Sequence, residues 1–394
     1  MREAVIVSTA RTPIGKAFRG ALNNIKSPTL AAHAIRHAVQ RAGLEGGEVE
    51  DVVLGSCLTA GTAGQNLGRM AALAAGLGNS ASAQTLDRQC ASGLMAIATA
   101  AKQVIVDGMD IVVGGGQENI SALNTPFNEW VAREKDDNVL RFAEHAYMPM
   151  LQTAEFVARK YGVSRETQDR YALCSQQRTA QAQAAGRFDA EIVPIDAIMA
   201  VVDKQTRETT YKSVTLSKDE GNRADTTYES LAGLKTIVEG GCITAGNASQ
   251  LSDGASASVI MEAGVAARRG LQPLGVYRGM AVAGCAPEEM GIGPIYAIPK
   301  LLKQHGLKIG DIGLWEINEA FAVQVLYVRD HLGIDPSIYN VDGGGISIGH
   351  PYGMTGARVI GHALLEGKRR GVKYVVAGMC IGGGMGAAAL FEIA

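Results

Sequence analysis

Two stretches of this chain, 263 positions apart, follow one pattern, and this repeat limits the folds open to it. Residues 108–116 and 371–379 are each an apolar, strand-like run that ends in small residues. A helix-like stretch precedes each run, and the same offset sets Cys90 against Gly353, three residues after His350. Chance similarity between two α/β units is the alternative, because such units are common. A match over a helix, a turn and a strand favours duplication.

Short Val- and Ile-rich runs alternate with Ala-rich helical stretches at both ends of the chain. The runs at 52–55, 110–114 and 373–377 are largely apolar. Strands that are apolar on both faces need cover on both sides, so these runs predict a sheet between helical layers. Ser27 as a cap, with Pro28 in the first helical position, predicts the start of the first helix, and a second helix is predicted from Gln65 to Ala75. The sequence therefore predicts the α/β class.

The middle of the chain, roughly residues 120–250, breaks this alternation. It contains a charged cluster at 133–137, helical patterns near 152–184 and a polar run at 203–211. Strand character returns at 255–261, and we expect this strand to complete the first sheet. The middle part is therefore predicted to be a long excursion from the first of the two repeated units.

Composition argues against several classes of function. The 394 residues include 37 basic and 39 acidic side chains, so the basic balance that favours nucleic-acid binding is absent. No apolar run approaches the length of about 18 residues that a membrane-spanning helix needs. The first residues lack the apolar core of a signal peptide, which favours a cytoplasmic location and reduced thiols. The six cysteines form no Cys-x-x-Cys pair, so neither a zinc site nor a disulfide framework is indicated.

Cys90 is the first candidate for a catalytic nucleophile. It stands where a predicted strand gives way to a helical pattern over 91–106. Free backbone N–H groups and the positive end of a helix dipole would stabilise a thiolate there, so we expect a lowered pKa of Cys90. The alternative is a buried cysteine that packs as a small apolar residue.

Three further residues stand in loops that suit chemistry. His350 follows the glycine-rich loop 342–349, where it could act as a base or an oxyanion donor, or merely cap a turn. Cys380 precedes the glycines 382–384, whose exposed N–H groups could form an oxyanion hole. Asn318 could hold a water, although a helix cap is the more common role for an asparagine at a strand end. Dinucleotide and P-loop motifs are absent.

These residues lie in four motifs whose order along the chain is that of the thiolase family. The motifs are Cys90-x-Ser92-Gly93-Leu94, Asn318-Glu319-Ala320-Phe321, Gly349-His350-Pro351 and Cys380-Ile381-Gly382-Gly383-Gly384. The chain resembles this family from Arg11 to its last strand. The resemblance implies two duplicated α/β domains with mixed five-stranded sheets in layers, plus an inserted loop domain. The implied domains are an N-terminal one at 1–120 and 251–270, a CoA-binding loop domain at 121–250 and a C-terminal one at 271–394.

The resemblance also implies an acetyl-CoA C-acyltransferase that works through an acyl-Cys90 intermediate. His350 would activate Cys90 and donate to the thioester oxygen, with Asn318 fixing a water beside it. Cys380 would move a proton to or from the α-carbon, and the N–H groups of Cys90 and Gly382 would form a second oxyanion hole. The implied reaction is reversible cleavage of acetoacetyl-CoA and longer 3-oxoacyl-CoA by CoA, or Claisen condensation of acetyl-CoA.

Five more positions match substrate contacts of the family. The resemblance implies that Ala245 and Ser249 lie along pantetheine, that Arg223 contacts CoA, and that Met150 and Phe321 line the acyl pocket. CoA and acyl-CoA would be substrates and partners, with no tightly bound cofactor, no metal, no nucleic acid and no membrane. A homodimer or homotetramer is expected.

Four departures from the family pattern surround the implied pocket. Asp87 replaces a frequent Asn, Pro149 a His of many biosynthetic members, and Leu151 and Gln250 replace glycines. They favour a degradative member with broader chain-length preference. Two other functions stay open on the residues: a decarboxylating ketosynthase-like enzyme, against which Cys380 in place of a second histidine argues, and a non-catalytic acyl-CoA-binding protein of the same fold.

Overall fold

Twelve strands and thirteen α-helices follow one another along residues 2–394, the part of the chain that this computed structural model describes. The strands are β1 (Ala4–Arg11), β2 (Gly15–Lys16), β3 (Asp51–Gly55), β4 (Ser82–Leu86), β5 (Ile111–Asn119), β6 (Ile195–Val202), β7 (Thr209–Leu216), β8 (Ser252–Glu262), β9 (Gly275–Gly284), β10 (Leu314–Ile317), β11 (Tyr374–Ile381) and β12 (Met385–Ile393). The helices are α1 (Ser27–Arg41), α2 (Leu67–Ala75), α3 (Ser92–Lys102), α4 (Ile120–Arg133), α5 (Asp137–Phe142), α6 (Met150–Tyr161), α7 (Arg165–Ala184), α8 (Tyr228–Ala232), α9 (Ala263–Arg268), α10 (Pro294–Gln304), α11 (Ala322–Leu332), α12 (Gly345–Ile348) and α13 (Tyr352–Arg370).

The main sheet consists of two halves with the same strand order and directions. The first half runs β4-β3-β5-β8-β1, and the second runs β10-β11-β12-β9. In each half a parallel pair, β3 with β5 or β10 with β11, is followed by antiparallel pairings to the next two strands. This common topology confirms the duplication that the sequence repeat predicts.

The strand count differs between the halves. The first half has the expected five strands, whereas the second has four, and its fifth strand is reduced to a single parallel bridge between Trp315 and Tyr339. The halves are also joined edge to edge, because Val5 and Ile6 of β1 pair with Val276 and Gly275 of β9.

Helices cover both faces of each half-sheet. α3 and α13 lie between the halves, and Ile97 and Ile360 share one core with Val112 of β5 and Val375 of β11. α1 and α2 pack on the outer face of the first half. α10 and α11 pack on the outer face of the second half. The expected layered α/β architecture is therefore present.

The two central helices touch where both begin. A Cβ atom at Gly93 of α3 would lie 2.5 Å from the carbonyl oxygen of Gly353. A Cβ atom at Gly356 of α13 would overlap the backbone nitrogen of Leu94. Backbones approach this closely only where no side chain intervenes. The chain just before α3 is thereby brought beside the chain just before α13.

Two helix starts differ from expectation. Ser27 is already the first residue of α1 and makes no capping bond, so Lys26 stands at the cap and Pro28 takes the second helical position. α2 starts at Leu67, because Gln65 and Asn66 both have a left-handed backbone with φ of 54°. The predicted elements are present, but their first turns are shifted by one or two residues.

The inserted part lies between β5 and β8. α6 and α7 occupy the helical patterns predicted near 152–184, and the polar run at 203–211 forms the tip of the β6–β7 hairpin and the start of β7. β8 then pairs with β1 and β5, as expected for the strand that completes the first half-sheet. The division of the chain into domains at 120, 250 and 270 stays a prediction.

One helical stretch, Gln89–Asp107, is long and apolar enough to cross a membrane when length and composition alone are considered. It contains α3, and 61% of its most apolar window is buried inside the protein. A buried helix in the core of a globular protein can have the same length and composition. The expectation that the protein has no membrane partner stays a prediction.

Candidate active site

A tight turn between β4 and α3 presents Cys90. The carboxylate of Asp87 accepts a hydrogen bond from the backbone N–H of Gln89 at 2.6 Å. Gln89 itself has a left-handed backbone, with φ of 49°, and its carbonyl accepts from the Ser92 hydroxyl at 2.6 Å. These bonds hold a strained turn, so the Cys90 side chain has a fixed direction ahead of the helix.

The expected lowering of the Cys90 pKa is wrong. Burial raises the pKa of Cys90 to about 12, and the nearby Glu118 adds to the rise. The backbone N–H groups of Gly382 and of Cys90 itself oppose this by donating to the sulfur. Burial wins because a thiolate loses more hydration than two N–H groups restore. The thiol is nevertheless partly accessible.

His350 lies between two hydrogen-bond partners. Its Nε2 atom is 3.2 Å from Nδ2 of Asn318, and its Nδ1 atom is 2.7 Å from the hydroxyl of Thr355. Burial, with a contribution from Arg358, lowers the pKa of His350 to about 3. The imidazole is therefore neutral at physiological pH.

The partners of His350 also select its tautomer. The Thr355 hydroxyl donates its one proton to the carbonyl of Pro351 at 2.9 Å, so it accepts from His350. Nδ1 must therefore carry the imidazole proton, and Nε2 is left with a lone pair. Nε2 is therefore the unprotonated ring nitrogen, and it accepts from the amide of Asn318.

Asn318 does not cap the following helix. α11 begins at Ala322 with Phe321 at its cap position, and Asn318 directs its amide nitrogen at His350 instead. Its Oδ1 atom is buried without a hydrogen-bond partner. A buried amide oxygen of this kind can hold a water or a polar ligand atom.

The β11–β12 hairpin brings Cys380 and Gly382 to the same place. Cys380 lies near the end of β11. Gly383 and Gly384 form the turn from β11 to β12, and their φ angles of 81° and 82° favour glycine. Burial raises the pKa of Cys380 well above its usual value, and the nearby Cys90 raises it further. Together with the Gly382 N–H bond, this shows that Cys90 and the 380–382 segment adjoin one another.

The predicted substrate contacts fall into two groups. Met150 has its sulfur 3.6 Å from where a Cβ of Gly382 would stand, so it lies beside the 380–382 segment. The backbone N–H of Ser249 donates to the carbonyl of Ala320 at 2.9 Å, so Ser249 lies beside the turn that contains Asn318. The buried Phe321 belongs to the same turn. Ala245 and Arg223 are exposed on the surface, and the backbone N–H of Arg223 donates to Gln176 Oε1 at 2.8 Å.

Sequence reasoning missed several polar residues of this site. Glu118 and Glu319 are buried carboxylates that accept backbone N–H groups beside the pocket, and Thr355 orients His350. The thiol of Cys57 also contacts the Cys90 turn, because it donates to Gln89 Oε1 at 3.2 Å. A charged residue at the end of an apolar strand, as Glu118 is in β5, was the available signal.

No group of three His, Cys, Asp or Glu side chains that could hold a metal ion occurs within residues 2–394. The expectation that the protein needs no metal and no tightly bound cofactor stays a prediction.

Comparison with known proteins gives the family. The thiolase N-terminal domain family matches residues 4–264, and the thiolase C-terminal domain family matches residues 271–393. A 3-ketoacyl-CoA thiolase of Bacillus subtilis is 43% identical over 397 residues, covering 100% of both chains. An acetyl-CoA acetyltransferase of Cupriavidus necator is 42% identical over 402 residues, again covering 100% of both.

A solved structure agrees with these matches. The crystal structure of the Bacillus anthracis acetyl-CoA acetyltransferase superposes with a TM-score of 0.88 at 40% identity, covering 100% of this chain and 99% of that one. The topology, the four motifs and these matches over the whole length agree, and the chain belongs to the thiolase family.

Proposed function

We propose that this thiolase cleaves 3-oxoacyl-CoA with CoA, and runs the reverse condensation of acetyl-CoA, through an acyl group held on Cys90. The observation that supports this most is the meeting of unlike groups at one point. The partly accessible thiol of Cys90 lies near the backbone N–H of Gly382 and near a second thiol, that of Cys380. A neutral His350 bound to Asn318 stands at the start of the neighbouring helix.

The first step of the proposed cleavage forms the acyl-enzyme. Nε2 of His350 takes the Cys90 proton as the sulfur attacks the 3-oxo carbon. The bond between carbons 2 and 3 then breaks. The acyl group stays on Cys90 as a thioester, and the electron pair of the broken bond stays on carbon 2. The pKa values of both groups favour the neutral pair, so we propose that the thiolate forms only as the sulfur attacks.

The second step replaces the enolate by a stable product. Cys380 donates its proton to carbon 2, and acetyl-CoA leaves. A second CoA then gives its thiol proton to the Cys380 thiolate and attacks the Cys90 thioester. The shortened acyl-CoA leaves, and the Cys90 sulfur recovers its proton from Nε2 of His350. The N–H groups of Cys90 and Gly382 are proposed to bind one developing oxyanion. His350, with a water held by Asn318, is proposed to bind the other; one well-aimed donor is worth about 10²–10³ in rate.

We also propose the substrate range and assembly. Pro149, Leu151 and Gln250 adjoin residues of the pocket, and they support use of acetoacetyl-CoA and of longer 3-oxoacyl-CoA. Met150 and Phe321 are proposed to contact the acyl chain, and Ser249, Ala245 and Arg223 to contact CoA. A homodimer or homotetramer and a cytoplasmic location stay proposals.

The test is CoA-dependent cleavage of 3-oxoacyl-CoA substrates of increasing chain length by the purified protein. We expect activity on acetoacetyl-CoA and on longer substrates, and a radiolabelled acetyl group on the peptide that contains Cys90. Cys90→Ser should lose both. Cys174→Ser, a change of another free cysteine on α7, is the control and should keep both.

Two results would contradict the proposal. Label recovered on a peptide without Cys90 rules out the nucleophile, and a strict requirement for a malonyl donor points to a decarboxylating condensing enzyme instead. The role of Cys380 has its own test, because Cys380→Ala should still acylate Cys90 but fail to exchange the α-protons of acetyl-CoA. Exchange at the wild-type rate rejects that role.

A further inference from the structure

The fully buried carboxylate of Glu118 lies at the end of β5, between two segments that come from different halves of the chain. Its Oε2 atom accepts from the backbone N–H of Cys57 at 3.0 Å and from that of Gly353 at 2.9 Å. Its Oε1 atom accepts from the N–H of Leu58 at 3.1 Å. One carboxylate thus joins the loop after β3 to the first turn of α13.

Each of these segments is in turn connected to a proposed reacting group. The loop after β3 contacts the Cys90 turn twice: the Ser56 N–H donates to the carbonyl of Leu86 at 3.1 Å, and the Cys57 sulfur donates to Gln89 Oε1 at 3.2 Å. On the other side, Gly353 follows His350 by three residues in the same loop and helix start. One chain of hydrogen bonds from the Cys90 turn to the His350 loop therefore passes through Glu118, beside the direct backbone contact of α3 with α13.

We propose that Glu118 is a positioning residue that holds the Cys90 turn and the His350 loop at a fixed separation. This inference rests on the proposed function, in which His350 must reach the Cys90 proton. Glu118 touches neither reacting atom in the proposed steps, and it acts through the three backbone N–H groups that it accepts.

The charge of Glu118 also affects the Cys90 thiol. In the described part of the chain, no Lys, Arg or His lies within ion-pair distance of it, so backbone N–H groups are its compensation. The titratable groups that face it are Asp87, Cys57, Cys90 and Tyr352. Burial raises the pKa of Glu118 to about 7, and the ionised form raises the pKa of the Cys90 thiol. Removing its charge should therefore let Cys90 ionise at lower pH.

Two variants separate position from charge. Glu118→Asp keeps the charge but withdraws the carboxylate by one methylene, so it cannot reach both segments. Glu118→Gln removes the charge, and with its amide oxygen in the place of Oε2 it can still accept from Cys57 and Gly353. Glu50→Asp is the matched control, because Glu50 accepts the N–H groups of Asp110 and Ile111 at the opposite end of the same strands.

Two measurements on the full-length protein are compared. The first is the burst rate of acetyl transfer from acetyl-CoA to Cys90. The second is the pH midpoint of Cys90 alkylation by iodoacetamide, read on the Cys90 peptide by mass spectrometry, and it needs no substrate. If the wild-type protein shows no burst, the proposed function fails, while the alkylation midpoints still test Glu118.

We expect Glu118→Asp to slow the burst by about 10²-fold, the cost of a displacement of about 1 Å, with the KM for acetyl-CoA little changed. Its alkylation midpoint should not fall. Glu118→Gln should lower that midpoint by about one unit and keep the burst within a few-fold of wild type. Glu50→Asp should leave both unchanged.

A wild-type burst in Glu118→Asp overturns the proposal, and so does an equal loss in Glu50→Asp, which would mark a general loss of stability. If Glu118→Asp does not fold, Glu118→Gln decides through the burst. A burst slowed by about 10²-fold overturns the proposal, because the amide oxygen still accepts from Cys57 and Gly353, and a retained burst supports it; the alkylation midpoint then tests the effect of the charge.

Discussion

At the scale of single residues, burial sets the protonation of the site. The pKa of Cys90 is raised to about 12 and that of His350 is lowered to about 3, so thiol and imidazole are both neutral between these limits. A free ion pair of thiolate and imidazolium would leave two charges in a poorly hydrated place. The resting site is therefore uncharged at the two groups.

This protonation state predicts the pH dependence of Cys90 alkylation. The rate should rise with pH, and no step near pH 6.5 should depend on His350, because His350 does not titrate there in the folded protein. The measurement is iodoacetamide alkylation of the Cys90 peptide from pH 5 to 10, compared with His350→Asn. A step near pH 6.5 that disappears in the variant would show that the imidazole is charged in the resting site.

The Thr355 hydroxyl gives a second residue-scale prediction. Thr355→Val keeps the shape but removes the acceptor for the Nδ1 proton of His350, so either tautomer and several ring orientations become accessible. We expect acetyl transfer to Cys90 to slow by about 10–10²-fold, with the KM little changed, because a base must be held within reach of its proton. Thr355→Ser restores the hydroxyl and should recover most of the rate; failure of that rescue contradicts an orienting role.

Some residue-scale properties could be predicted from the sequence, and others could not. The positions of Cys90, His350 and Cys380 follow from glycine-rich motifs that are local in the chain. The pKa of Cys90 was predicted in the wrong direction, because local reasoning sees a helix start but not the protein that surrounds it. The roles of Thr355 and Glu118 cannot be predicted from the sequence, because the packing of other segments decides which groups they contact.

At the scale of elements, the crossing of α3 and α13 positions the site. Gly93 and Gly356 allow the backbones to touch at the two helix starts, and neither position has room for a Cβ atom. At these two glycines the backbones themselves are in contact, so the crossing brings the two helix starts together.

Gly93→Ala tests this crossing. Its methyl group would lie 2.5 Å from the Gly353 oxygen and 2.8 Å from the Ala357 nitrogen, so α13 must shift. We expect the free energy of unfolding to fall by about 1–3 kcal/mol, as for other overpacked sites, and the rate of acetyl transfer to fall with it. Gly47→Ala is the control, because its new methyl group meets nothing within 4 Å. Denaturant unfolding of both variants checks this, and an unchanged Gly93→Ala would mean that the crossing is loose.

Elements were the best-predicted level. Strongly apolar strands such as β3 and β5 and the long helices α7 and α13 follow from periodicity, which reports burial directly. Helix starts were displaced, because the left-handed backbone at Gln65 and Asn66 is imposed by their surroundings. The reduction of the fifth strand to the Trp315–Tyr339 bridge was not visible, since a strand's length depends on what pairs with it.

At the scale of the whole molecule, a buried ionic network joins the inserted part to both halves. Arg11 of β1 is 2.7 Å from Glu191 and 2.7 Å from Asp219, which both lie in the insertion. Glu191 also contacts His362 of α13 at 3.1 Å. Burial alone would lower the pKa of His362, but Glu191 and Asp342 raise it to about 10.

The two buried histidines predict opposite effects of pH on stability. His362 has a raised folded pKa of about 10, so its contribution is complete below its unfolded value of about 6.5 and is lost as pH rises toward 10. His350 has a folded pKa of about 3, so the protein loses stability as pH falls from about 6.5 toward 3. Each slope has an upper limit of about 1.4 kcal/mol per pH unit.

We therefore expect the contribution of these two histidines to the free energy of unfolding to be greatest near pH 6.5 and to fall on both sides. Denaturant titrations of the wild type and of the His362 variant from pH 4 to 10 measure it by difference. His362→Gln should lower stability overall and flatten the alkaline side alone. An alkaline slope that survives this substitution would assign it to other groups.

Some features of the whole molecule could be predicted from the sequence, and others could not. The repeat and the excursion predict duplication and insertion, because they are patterns of sequence order. The network of Arg11, Glu191, Asp219 and His362 spans most of the chain, and no local pattern connects its members.

The equivalence of the two half-sheets has a consequence for how such a site could arise. If two identical copies of one half assembled as a symmetric pair, the same side chain would face itself across the twofold axis. Within one polypeptide the two halves can differ at equivalent positions. Here the chain before one central helix carries the thiol of Cys90 and the chain before the other carries the imidazole of His350, so each half supplies a different group to one site.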